Sequence, residues 1–147
     1  MPELTGYYIN ETDLKPYIDN DELSRINVEI DSETGETNIQ LAIKNVCALA
    51  DTYLQAKYDL PLAATINTAP LKSMIAKKVV WDISNLYTSL SDEVRKIRES
   101  YNDEAMEFFK GLASGDVKLL DSVTENVLDE ADKYYFDANQ RITRDFY

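Results

Sequence analysis

Side chains able to do covalent or acid–base chemistry are scarce in this sequence. Its 147 residues include no histidine and a single cysteine, Cys47. Without an imidazole there is no Ser-His-Asp or Cys-His relay, no histidine-held zinc and no group that titrates naturally near neutrality. One cysteine forbids an intramolecular disulfide and a cysteine zinc cage, and Cys47 reads as a small buried hydrophobe on a helix. Carboxylates and lysines remain, but the commonest general base is missing, so no enzymatic activity is expected. Asp31, Glu33 and Glu36 invite a calcium reading, yet Gly35 falls one place early for an EF-hand loop. Neither a metal nor a cofactor is expected. Asn10-Glu11-Thr12 fits a glycosylation sequon that a cytosolic chain does not use.

What is left is chemistry of contact. The stretch from Ala50 to Leu62 reads as the last turns of an amphipathic helix running into a proline-stopped apolar exit, and its Tyr53, Tyr58, Leu60, Pro61 and Leu62 form a candidate docking element. At the other end, Arg141 and Arg144 can make charge-assisted contacts, and Phe146 and Tyr147 can fill apolar pockets. Of ten tyrosines, half (Tyr7, Tyr8, Tyr134, Tyr135, Tyr147) lie in the outer segments.

Charge is uneven along the chain. The total is -12, with ten acids and two bases in residues 1–36, ten of each in 37–120, and six acids against one base in 121–137. A neutral hub thus lies between two acidic arms. No basic stripe is available to grip phosphates, so specific nucleic-acid binding is not expected. No apolar run approaches the ~20 residues of a membrane span, and Met1-Pro2-Glu3 does not open a signal peptide, so a cytosolic chain is expected.

Three helices should position these contacts. Thr37 and Gln40 form a capping box that starts the first, worth ~1 kcal/mol. Ile39, Ile43, Val46, Ala50, Tyr53 and Leu54 make its stripe, and Pro61 is expected to end it. The second has Thr68 as its cap and Pro70 in its first turn, with Leu71, Ile75, Val79, Ile83, Leu86 and Leu90 as its stripe. Trp81 lies off that stripe, which predicts a second buried face or an interface face. The third starts at Ser91 or Asp92, carries Val94, Ile97, Tyr101, Ala105, Phe108 and Leu112, and stops at Gly115.

The flanks are less regular. Thr12-Asp13-Leu14 and Asn20-Asp21-Glu22-Leu23 each predict a short capped helix. Val28 and Ile30 before a Gly35-containing turn predict a hairpin or a mobile loop. The fold class is all-α: a helical domain over 1–120, made of an acidic arm (1–36) and a hub (37–115), with a docking tail over 121–147.

In three places, in the same order, the chain resembles the small helical proteins of Mu-like phages and prophages assigned to the head–tail connection. Tyr8 with Thr12-Asp13-Leu14 is similar to their opening motif. Ala50 to Leu54 and Lys57 to Leu62 resemble their most recognisable block. Tyr101 to Ala105, continuing through Leu112 to Gly115, resembles their tyrosine-to-glycine helix. Beside these three motifs, the tail Arg141-Ile142-Thr143-Arg144 is similar to their closing arginine pair. Lys57 stands where arginine is expected and Ile142 where an aromatic is common.

The resemblance implies a connector-adaptor fold and a homo-oligomeric ring in the virion neck, reached from the host cytoplasm. Its partners would be the portal protein and a tail or head-closure protein, with DNA passing through the ring. The rival reading is an acidic DNA mimic or inhibitor of a basic partner, with its carboxylates along one face.

Overall fold

Local sequence rules account for the start of each main helix. In the computed structural model, which describes residues 7–121 apart from Thr88, Thr37 Oγ1 accepts from Gln40 N while Gln40 Oε1 accepts from Thr37 N. That capping box opens α2, Asn38–Leu54. Ser91 Oγ accepts from Val94 N and opens α4, Asp92–Ser114, whose far end is stopped by Gly115 at φ 88°. Between them α3 runs over Ala69–Tyr87, with Pro70 in the first turn and Thr68 O accepting from Lys72 N. Before α2 come a short 3-10 helix, Glu11–Leu14, and α1, Asn20–Ile26. β1, Glu29–Asp31, pairs antiparallel with β2, Glu36–Thr37, around Gly35 at φ 74°. The fold is mostly helical, and the segment that could have been hairpin or loop is a hairpin.

α2 and most of α3 pack along their expected stripes. Ile39, Ile43, Val46, Ala50 and Leu54 of α2 are buried with Cys47, against Leu71, Ile75, Val79 and Ile83 of α3. Ala76, Val80 and Ser84 are buried as well, so α3 does have two covered faces, while Trp81 itself is half-buried. A central helix with two buried faces is expected between α2 and α4. The acidic N-terminal segment contributes Ile9, Leu14, Ile18, Leu23 and Ile26 to the core.

Three expectations are corrected. α2 ends at Leu54, where Gln55 N turns back onto Asp51 O; the turn comes well before Pro61, so proline is not what stops the helix. The core line of α4 keeps the expected Ala105 and Leu112 but takes Arg98 and Phe109 in place of Ile97 and Phe108, leaving Phe108 half-buried and Ile97 54% exposed. Leu86, expected in the α3 stripe, is 71% exposed, and Leu90 lies past the helix end and is half-buried.

These elements belong to one unit, residues 7–61 with 68–118. A smaller one joins Leu62–Asn67 to the chain from Leu119, through an antiparallel bridge between Ile66 and Asp121 and a 2.7 Å bond from Asn67 N to Leu120 O.

Candidate protein interface

The tip where α3 turns into α4 is held by one buried cation. Arg98 on α4 is 7% exposed, and its guanidinium reaches Glu22 of α1 with Nη1 and Nη2 at 2.5 and 2.7 Å. Nη1 also donates to Ser84 Oγ of α3 at 2.7 Å, so three helices are tied at one point. A bidentate guanidinium–carboxylate pair is among the strong hydrogen-bonded contacts. The Arg98 guanidinium also holds the Glu22 carboxyl below the ordinary glutamate range.

Beside this pair lies a cleft of about 460 Å³ lined by Glu22, Arg25, Ile26, Ser89, Leu90, Ser91 and Val94. Ile26, Leu90 and Val94 make its apolar lining. Ser91 is already committed as the α4 cap. Ile97, one turn beyond Val94 on the same face, carries the apolar surface outward.

The docking block predicted over Ala50 to Leu62 is spread between settings. Tyr53 is half-buried and stacks on Phe109, centroids 6.0 Å apart, so this ring serves the core. Tyr58 N donates to Leu54 O in the turn that ends α2, and Tyr58 and Leu60 are half-buried. Pro61 is exposed after a cis peptide bond from Leu60, and Leu62 falls in the smaller unit. Arg141, Arg144, Phe146 and Tyr147 lie outside the described residues. The N-terminal motif is built in: Tyr8 donates to Asp51 Oδ1 at 2.5 Å, and burial with that carboxylate pushes the phenol well above its ordinary range.

Other candidate groups have local roles. Asn10 caps the 3-10 helix by accepting from Thr12 N, which is what its sequon position does in the fold. Cys47 is buried, and burial raises its thiol pKa. Asp31 Oδ1 accepts from Glu33 N within the hairpin turn. Among the described residues no group of three His, Cys, Asp or Glu side chains could hold a metal, and no helix is long and apolar enough to cross a membrane.

The family model described as bacteriophage Mu, Gp36 matches residues 8–137. The chain belongs to this family. It is therefore a Mu-like phage protein, as the three sequence motifs implied. No curated protein and no solved structure matches it. In this Gp36-family chain, sequence reasoning missed Arg98 and Glu22, which are 76 positions apart. The only local signal was a cation beside an apolar stripe.

Proposed function

We propose that the chain is a structural subunit of the phage particle, assembling as a homo-oligomeric ring at the head–tail junction between portal and tail. Membership of the Gp36 family over nearly the whole sequence carries the reading. The surface is compatible with it. Lys44, Lys77 and Lys78 pair with Glu36, Glu104 and Asp82, which commits three of the hub's bases to carboxylates and not to a passing duplex. An acidic ring then repels DNA that must slide through it, and no catalytic centre is called for.

The test is deletion of the gene followed by electron microscopy of the particles. Filled heads without tails, restored by adding the purified chain, are expected; normal joined particles would sink the proposal. Native mass measurement of the chain with purified portal should show several copies per portal ring. No salt-sensitive shift of duplex DNA is expected at micromolar protein.

A further inference from the structure

β1 is open to solvent along its whole length. Glu29, Ile30 and Asp31 are all exposed, Ile30 at 49%, and Val28 just before them is 56% exposed. Ile30 sits in a bulge. Glu29 opposes Thr37 and Asp31 opposes Glu36, which leaves Ile30 as the extra residue with no partner across the ladder. A bulge re-aims its side chain out of the regular pleat, and here it holds an aliphatic group in water.

The root of the hairpin is tied. Asn38, buried at the start of α2, donates to Ile26 O at 2.5 Å and accepts from Val28 N at 2.8 Å, while its own backbone N donates to Val28 O at 2.8 Å. Lys44 pairs with Glu36, Thr37 Oγ1 donates to Glu11, and Gly35 N donates to Asp31 O across the turn. A two-stranded hairpin alone is marginal in water, so these bonds matter: they present the exposed residues on a formed element.

Charge decides what this element can meet. From residue 26 to residue 43 the sequence holds Glu29, Asp31, Glu33 and Glu36 but no lysine or arginine. Glu29, Asp31 and Glu33 are exposed, and Glu11 brings another carboxylate to the root. The flanking bases along the chain are Lys44, which Glu36 engages, and Arg25 in the last turn of α1. A second copy would bring its own net charge of -12 to these carboxylates, and a nucleic acid would bring phosphates. Like charge disfavours both.

We infer that the hairpin, through Val28 and Ile30 with the acids around them, docks on a different protein of the particle. The surface it fits is one where lysines or arginines surround an apolar seat. Opposite charge around an apolar contact steers the encounter and fixes which surfaces meet. This rests on the chain's being a subunit of the particle and does not need its copies to form a ring.

The experiment uses the full chain during phage production, with Ile30 replaced by the photoreactive and still apolar p-benzoylphenylalanine. Mass spectrometry then identifies the crosslinked peptide. A peptide of another particle protein, with lysine or arginine beside an apolar residue, is expected. Adding Glu29→Lys with Glu33→Lys should lower the crosslink yield by about fivefold or more. The same charge change on α4, Glu99→Lys with Asp103→Lys, should leave it nearly unchanged. Circular dichroism of the purified variants confirms that both pairs melt as the parent does. No crosslink, a crosslink to a second copy or to an acidic peptide, or an equal loss from the α4 pair overturns the inference. None of those outcomes bears on the ring, which gene deletion and native mass measurement test.

Discussion

The two halves of α4 solve different problems with the same periodicity. In the C-terminal half, Ala105, Phe109 and Leu112 are buried, and Phe109 is flanked by Tyr53 and Phe108. In the N-terminal half, Ile97 faces solvent while Arg98, a charged residue, occupies the buried position. Apolar spacing continues through both halves, but cover does not. The contrast separates what a stripe says about core from what it says about surface: a stripe that outruns its neighbours is available to another molecule.

Substitutions can break or sharpen that contrast. The largest effect belongs to Leu112→Asp, which puts an unpaired charge at a fully buried site and should abolish cooperative melting. Arg98→Met comes next. It strands the Glu22 carboxylate, whose side chain is only 17% exposed, and should cost about 3 kcal/mol in denaturant unfolding.

The same pair gives an acid signature. Glu22 has its folded pKa below its unfolded value, so its contribution is complete above pH 4.5 and is lost as pH falls through the depressed folded value. Glu22→Gln should lower stability at neutral pH and flatten the acid slope. An unchanged slope would show that other carboxylates set it.

Gly111→Ala should cost about 1 kcal/mol despite the helix propensity of alanine. Its Cβ would lie 2.5 Å from Val117 Cγ2 and 3.2 Å from Val117 Cβ. With Val117→Ala already present, the sign should reverse and alanine at 111 should stabilise. The smallest effect is that of Ile97→Asp, within ~0.5 kcal/mol of the parent, because the side chain is already in water. A loss like that of Leu112→Asp would show that the two halves of α4 are both core.

The helices were legible because caps and stops are local. Thr37, Ser91, Pro70 and Gly115 each act within one turn, and each sits where expected. Phase was harder to read. Ala105 and Leu112 fit either of two lines on α4, and hydrophobicity alone cannot choose between Phe108 and Phe109. Choosing the buried Arg98 line requires Glu22, whose proximity is a tertiary fact. The stop of α2 was misplaced because Pro61 is a strong signal, whereas the turn at Gln55 to Tyr58 carries neither Gly nor Pro. The docking block was visible as apolar and aromatic, but sequence could not show that Tyr53 is spent on Phe109. The uncovered cleft and hairpin were invisible, since exposure of an apolar residue depends on where its neighbours stop.

The seat of Val117 against Gly111 has a mechanical consequence. Both Gly115 N and Val117 N donate to Gly111 O, at 2.9 and 3.0 Å, and the absent Cβ of Gly111 leaves the notch that Val117 fills. Tension that reaches Val117 therefore enters α4 at residue 111, one turn inside the helix end. The terminal turn through Gly115 is bypassed, much as a cable clamp spares the soldered joint behind it. A pulled helix ordinarily unwinds from its last turn, and here that route opens only after the clamp has slipped.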